Sequence, residues 1–103
     1  MYVMQISRHS PESCPTVNER TVKVTVDLIK NLDSLAAKHG MKLVGSWTDH
    51  PMHMIYNIYE TPNMEAFFSY CEEPECIAWL GYNTVETKVV QSLQDVKEMF
   101  NIE

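Results

Sequence analysis

The sequence predicts a single α+β domain in which helices cover one face of a four-stranded antiparallel sheet. In the segment Gly40–Glu60, two runs rich in β-branched and aromatic residues flank Asp49-His50-Pro51, and helical patterns precede and follow this segment. Pro51 has no amide hydrogen to donate to a ladder, so we expect the chain to reverse there and the two runs to pair. A chain of 103 residues has the size of one domain, which we assign to residues 1–103.

The N-terminal segment Met1–Arg8 has the composition of a first strand. Tyr2, Met4 and Ile6 alternate along it and should share one face of the sheet. The loop His9–Pro15 follows and contains two prolines, each of which disfavours helical torsions in the residue before it. We therefore expect a stiff, extended connection to the first helix.

The first helix is predicted to begin at a capping box formed by Thr16 and Glu19 and to end before Gly40. The alternation of Thr21–Val26 is typical of a strand, but the distance from the cap to the glycine favours a helix. Apolar residues at spacings of three and four predict its packed face: Val22, Val26, Ile29, Leu32 and Ala36.

The same signals place the remaining elements. Three further strands are predicted at Met41–Thr48, Met54–Glu60 and Tyr82–Ser92. A second helix starts at Thr61-Pro62, is interrupted at Pro74 and ends at Gly81, and Ser92 caps a short C-terminal helix. The order strand, helix, strand, strand, helix, strand is that of the split β-α-β plan with right-handed crossovers.

Composition and charge argue against several classes of partner. Fourteen acidic and eight basic residues give a net charge of -6 without a basic cluster, which argues against nucleic acid. No apolar run approaches the ~18–20 residues of a membrane span, and the N-terminal segment lacks the regions of a signal peptide. The odd number of cysteines, Cys14, Cys71 and Cys76, then predicts free thiols in a cytoplasmic protein.

A sheet covered by helices on one face leaves its other face bare. We expect valine of the fourth strand, Val44 of the second, and Ile55 or Ile58 of the third to place apolar groups on that open face. An exposed apolar face usually meets a partner. The sequence therefore predicts a homodimer whose two sheets pack face to face.

These features resemble the dimeric α+β barrel superfamily, whose small ferredoxin-like βαββαβ domains close into a barrel across a two-fold axis. The resemblance rests on three stretches and is nearest to an uncharacterised small-protein family: HSPESCP after the first strand, KHGMKLVGSW into the second, and EPE to YNT before the fourth. It implies the fold and the dimer. It does not select a reaction, because the superfamily includes monooxygenases, haem-modifying enzymes, isomerases and ligand-sensing domains.

The topology should bring three segments to one rim of the domain: His9–Pro15, Asp49–His53 and Gly81–Asn83. This rim would collect most of the reactive side chains of the chain: His9, Ser10, Glu12, Cys14, Asp49, His50, His53, Tyr82 and Asn83. Imidazole titrates near neutral pH, so His9 and His53, at the ends of central strands, are candidate catalytic acid and base.

Two other interpretations of the rim stay open. His9, His50 and His53 could hold zinc or iron, with the Cys14 thiolate as a further ligand or as a nucleophile. Alternatively the histidines are solvated loop residues and the protein has no cofactor.

The aromatic residues form the core or line a pocket between sheet and helices for an apolar or aromatic small molecule. The candidate ligand-binding residues are Cys14, Trp47, Tyr56, Tyr82 and Asn83. Two classes of function follow. One is a small enzyme, monooxygenase- or isomerase-like, with rim histidines as acid and base; the other is a non-catalytic ligand- or metal-binding module or assembly subunit.

Overall fold

The strands and helices follow the predicted order in the computed structural model, which describes all 103 residues. The strands are β1 (Tyr2–Arg8), β2 (Lys42–Asp49), β3 (Met54–Glu60) and β4 (Thr84–Val90). The helices are α1 (Glu19–Lys38), α2 (Met64–Cys71), α3 (Pro74–Leu80) and α4 (Leu93–Met99). The strands form one antiparallel sheet in the order β2-β3-β1-β4, which confirms the ferredoxin-like α+β fold with a C-terminal helix.

Strand β1 lies in the middle of the sheet and pairs with both β3 and β4. Its side chains alternate, so Val3 is buried beneath the helices. The residues Tyr2, Met4 and Ile6 share the other face, as predicted, and are only partly buried. We refer to this helix-free side of the sheet as the open face.

The N-cap of α1 is Asn18, and the predicted capping box at Thr16 is wrong. The Asn18 side chain accepts hydrogen bonds from the amides of Arg20 and Thr21, at 3.0 and 3.1 Å. It thereby satisfies two of the amides that have no partner within the helix. The Thr16 hydroxyl instead lies 3.0 Å from the Cys14 thiol.

The packed face of α1 is rotated from the predicted one. Leu32 and Ala36 do pack on the core, together with the buried residues Thr21 and Leu28. The three other predicted residues are exposed to solvent: Val22, Val26 and Ile29. The prediction of the packed face failed in this strand-like stretch because hydrophobicity alone does not determine which side of a long helix faces the sheet.

Aromatic side chains fill the space between sheet and helices. Tyr59, Phe67 and Tyr70 are 1 to 2% exposed, and the Tyr59 and Tyr70 hydroxyls are hydrogen-bonded at 2.8 Å. The enclosed space that remains has a volume of about 10 Å³, roughly the room of one water. The expected sheet–helix pocket for a small molecule is therefore occupied by the core itself.

The helices do not form membrane spans. Even α1, with 20 residues, carries charged residues along its length, and no helix is both long and apolar enough to cross a bilayer. The C-terminal helix α4 leaves Leu93 and the following Phe100 largely exposed.

Glu73 joins the end of α1 to the start of α3. Its carboxylate lies 2.8 Å from Lys38 Nζ and 2.9 Å from His39 Nε2. The hydrogen bonds from Lys38 and His39 hold the pKa of Glu73 below its usual value. The ionised carboxylate therefore stabilises the folded state above the ordinary glutamate pKa, and this contribution is lost as the pH falls through the folded value.

We expect Glu73→Gln to lower the melting temperature near neutral pH, and we expect this loss to shrink as the pH falls through the lowered folded pKa of Glu73, because the carboxylate is then protonated in both states. Thermal melts across this range measure the difference. Glu60→Gln, an exposed position outside the ion pairs, is the control. An equal loss at both ends of the pH range would contradict the prediction.

Candidate functional site

Three side chains from two of the rim segments converge where β1 ends: those of His9, Cys14 and His53. Their imidazole nitrogens and thiol sulfur offer ligand atoms that all lie within 4.8 Å of one another. Cys14 is 3% exposed, His9 is 9% exposed, and His53 is partly buried. The rim therefore holds a largely buried His–His–Cys cluster.

The backbone sets the positions of the two histidines. His9 follows the last residue of β1, and its amide donates to the carbonyl of His53 at 3.2 Å. This bond continues the β1–β3 ladder into the hairpin turn. The two rings meet edge to face, with centroids 5.3 Å apart. His53 has a φ of 56°, a left-handed conformation that is uncommon for a residue other than glycine.

A short 3-10 helix at Pro11–Ser13 brings Cys14 back towards His9. The Ser10 hydroxyl accepts from the Ser13 amide at 3.3 Å, and the Cys14 amide donates to the Pro11 carbonyl at 3.3 Å. The loop was expected to be extended. It turns instead because Pro11 occupies the first helical position, where a missing amide hydrogen costs nothing.

Several polar atoms of the cluster are buried and have no hydrogen-bond partner within the protein. They are both ring nitrogens of His9, Nδ1 of His53 and Oδ1 of Asn83. A buried polar atom without a partner costs about 1–3 kcal/mol, and native proteins contain few of them. Their concentration at one place indicates a position for a ligand that these atoms would contact.

The environment of His9 favours a neutral imidazole. Burial lowers the pKa of His9 from its ordinary value, the Asn83 side-chain oxygen partly opposes this because it would accept a hydrogen bond from the protonated ring, and the neighbouring His53 and His50 lower it further. At neutral pH the His9 ring therefore has an unprotonated nitrogen. This is the state in which imidazole binds a metal ion or accepts a proton.

Tyr82 and Asn83 form one wall of the cluster, where the sequence predicted them. The Tyr82 ring lies 5.9 Å from the His9 ring, and its hydroxyl is hydrogen-bonded to Thr25. The Asn83 amide nitrogen donates to the Trp79 carbonyl at 2.9 Å, which fixes the side chain and leaves its oxygen free. Their binding role stays a prediction.

His50 and Asp49 lie at the edge of the cluster. The His50 ring is 6.2 Å from that of His53, and His50 is not among the three residues whose ligand atoms converge. Of the four residues in the metal interpretation, His9, Cys14 and His53 converge, and His50 does not. Asp49 stabilises the hairpin turn, because its carboxylate accepts a hydrogen bond from the Met52 amide at 3.3 Å.

Trp47 and Tyr56 lie on the open face, away from the space between sheet and helices. They are cross-strand partners, and Trp47 is 59% exposed. The Trp47 ring covers Gly45, where a Cβ atom would lie 2.4 Å from the indole. The alternation of side chains explains this placement, because residues three apart in a strand, such as Tyr56 and Tyr59, point to opposite faces.

An open cleft of about 410 Å³ gives solvent access to the cluster. His9 and His53 line it together with residues of β1, the two loops and β4: Arg8, Ser10, Pro11, Pro51, Met52 and Thr84. Sequence reasoning missed Arg8 and Thr84. The strand pairing could have indicated both residues, because Arg8 directly precedes His9 and is the cross-strand partner of Thr84.

Solved structures with this fold include proteins of two kinds. A NIPSNAP family protein of unknown function from Agrobacterium tumefaciens is 17% identical, with a TM-score of 0.58 over 88% of this chain and 86% of that chain. A NIPSNAP domain protein from Burkholderia xenovorans is 9% identical, with a TM-score of 0.51 over 90% and 97% of the two chains.

An antibiotic biosynthesis monooxygenase is 12% identical, with a TM-score of 0.53 over 89% of this chain and all of that one. Neither a family model nor a curated protein matches the sequence. At these identities the structural likeness shows the fold alone. The chain is thus a ferredoxin-like α+β protein, and its function has to be argued from its own cluster.

We expect His53→Gly to raise the free energy of unfolding of the metal-free protein by about 1 kcal/mol. Glycine adopts the positive φ without strain, and the substitution removes a buried nitrogen that has no partner. Chemical denaturation measures the change.

Asn101→Gly is the matched control, because Asn101 has the same φ of 56° but lies outside the cluster. A His53→Gly protein that is clearly less stable than the Asn101→Gly protein would show that the imidazole supports the fold instead of serving a site.

Proposed function

We propose that this protein binds a transition-metal ion, with zinc preferred, through His9, Cys14 and His53. The observation that carries the proposal is the convergence of their ligand atoms within 4.8 Å, together with buried imidazole nitrogens that have no partner. Imidazole and thiolate are the usual zinc ligands. A cytoplasmic location, which we also propose, would keep the Cys14 thiol reduced and available.

The geometry needs only a small contraction to hold zinc. Zinc–nitrogen and zinc–sulfur bond lengths place the ligand atoms of a tetrahedral site roughly 3.3–3.6 Å apart. The observed limit of 4.8 Å is therefore roughly 1.2–1.5 Å wider. Side-chain rotation of two histidines and a cysteine can close this gap without moving the strands. The Thr16 hydroxyl, 3.0 Å from the Cys14 sulfur, would orient the thiolate from outside the metal sphere.

Three protein ligands would leave one coordination position free. Sites that use zinc for structure have four protein ligands, whereas catalytic sites keep the fourth position for water or substrate. His9 and His53, two of the three ligands, line the open cleft, so a small molecule in the cleft would lie beside the site. The arrangement favours an ion that activates or binds a small molecule.

We expect the purified protein to bind one equivalent of zinc or cobalt(II), and the cobalt form to show a thiolate-to-metal charge-transfer band. His9→Ala and His53→Gly should each weaken binding, and Cys14→Ser should abolish the band. Metal analysis and absorption spectroscopy measure both quantities.

His50→Ala and Cys71→Ser are matched controls, because they remove the same types of side chain outside the converging set. Both should retain full metal content. Unchanged metal affinity in Cys14→Ser, or equal losses in the controls, would contradict the proposed site.

The neutral His9 also favours a second function, general acid–base catalysis by His9 and His53 on a small molecule in the cleft. This keeps the rim histidines of the enzyme interpretation as acid and base, and moves the expected small molecule from the sheet–helix interior to the cleft. The metal measurement separates the two functions, because acid–base catalysis requires no ion and predicts activity in the metal-free protein.

We further propose that the protein is a homodimer joined through its open faces. What supports this is the apolar character of that face, where Met4, Ile58 and the half-exposed Trp47 are not covered by any helix. Burial of apolar surface is favourable by roughly 25 cal/mol per Å². A second copy offers the same apolar surface, so two faces can cover each other.

We expect light scattering at micromolar concentration to give the mass of a dimer and Ile58→Glu to give a monomer, since the new charge would be buried at the joined faces. Ile29→Glu is the control, because Ile29 is 66% exposed on the outer side of α1. A wild-type monomer, or a dimer that survives Ile58→Glu, would contradict the proposed interface.

A further inference from the structure

Helix α4 is the one α-helix of the protein that buries none of its residues. Helices α1, α2 and α3 each have buried residues, so their exposed apolar side chains lie on the outer sides of packed elements. All hydrogen bonds of residues 92–102 join residues within that range. Neither burial nor hydrogen bonding therefore fixes α4 against the rest of its own chain.

One side of this unpacked segment is apolar. Leu93, Val96 and Phe100 recur at spacings of three and four, and Leu93 and Phe100 are largely exposed. Gln94 and Glu98 lie on the opposite side, where their side chains are hydrogen-bonded at 3.4 Å. A helix as short as α4 is at best marginally stable by itself in water, so its apolar side needs a surface to pack against.

The overall dimensions show that the chain extends beyond its packed layers. The radius of gyration is 14.9 Å, whereas a compact domain of this length has a radius of gyration of about 13 Å. The longest dimension is 51 Å, although the longest element, α1, measures only roughly 30 Å. A terminal helix that projects from the domain accounts for this excess.

We propose that α4 is a dimerisation arm, in which the apolar side formed by Leu93, Val96 and Phe100 packs against the open face of a second copy of this chain. The inference rests on the proposed homodimer and adds a second contact surface to it. By two-fold symmetry each copy gives one arm and receives one.

The area of the open face favours a second copy as the occupant. The four strands cover a flat area of roughly 19 by 24 Å, or about 460 Å². A stable complex buries about 800 Å² on each partner. The joined sheets alone thus supply little more than half of that area, and the two arms provide the apolar surface that is missing.

The position of α4 lets it reach a partner. The arm follows Val90, which is the cross-strand partner of Tyr2 on the open face. Stacked sheets lie about 10 Å apart, and a helix with its side chains has a diameter of about 10–12 Å. An arm that leaves the sheet beside Tyr2 therefore spans the gap to the partner's sheet without any change in the strands.

A lipid surface matches α4 less well than a second copy does. Helices that lie on membranes carry several Lys or Arg residues on their polar side. In α4 the single Lys97 stands beside Asp95 and Glu98. The charge of the arm therefore opposes binding to anionic lipid.

The test measures the dimer dissociation constant by sedimentation over a range of protein concentrations. We expect Leu93→Ser with Phe100→Ser to raise this constant at least about tenfold, because each dimer loses apolar side chains from both arms. Gln94→Ser with Glu98→Ser is the matched control, because it introduces the same two serines on the opposite side of α4. The control should keep the wild-type constant, and far-UV circular dichroism checks that both proteins are folded.

A second measurement identifies what the arm contacts. A photoreactive benzophenone side chain at position 100 is activated in a mixture of isotope-labelled and unlabelled protein. We expect cross-links that join labelled to unlabelled chains at β1 or β3 of the open face. Cross-links only within one chain, an unchanged dissociation constant for Leu93→Ser with Phe100→Ser, or binding to phosphatidylserine vesicles that these two substitutions abolish would each overturn the inference.

The two proposals fail in distinguishable ways. A wild-type protein that is a monomer overturns both the homodimer and the arm. A dimer that Ile58→Glu dissociates, but that keeps its affinity in Leu93→Ser with Phe100→Ser, overturns the arm alone.

Discussion

The backbone hydrogen bond from the His9 amide to the His53 carbonyl, 3.2 Å long, joins the end of the central strand to the hairpin turn. It carries the β1–β3 pairing one step past the strands and thereby fixes the two imidazoles edge to face. The 3-10 helix then has only to turn the chain once for Cys14 to reach them. The cluster therefore depends on the register of β1, which the alternation of buried Val3 with partly buried Met4 sets along the whole strand.

The packing of the rest of the domain offsets the free-energy cost of holding the cluster in this conformation. Tyr59, Phe67 and Tyr70 fill the interior except for about 10 Å³, so the core supports the sheet and leaves no room there for a ligand larger than a water. At the rim, partnerless imidazole nitrogens and a histidine with positive φ oppose folding. Local costs of this kind persist where the surrounding structure enforces them, and they are common at functional sites.

The fold and the rim were predictable from the sequence because both follow from the order of elements. The prolines, the glycines and the hairpin residues mark the boundaries, and the crossover rule then brings His9 near His53. The packed face of α1 was not predictable from hydrophobicity, since Leu28 and Ile29 are equally apolar and only the first faces the core. The place of Cys14 on the rim was expected, but the turn at Pro11–Ser13 that brings it to His9 was not, because the proline pattern alone does not distinguish this turn from an extended loop.

The indole of Trp47 resting on Gly45 makes these two positions interdependent. Any side chain at position 45 begins with a Cβ atom that would lie 2.4 Å from the ring, so the indole would have to swing off the sheet. The effects of substitutions at 45 and 47 should thus be non-additive, and an alanine at 45 matters less once 47 is small. In a set of related sequences this coupling would make glycine at position 45 co-vary with a large aromatic residue at position 47. The residue types at these two positions would then indicate whether an aromatic ring lies flat on the open face.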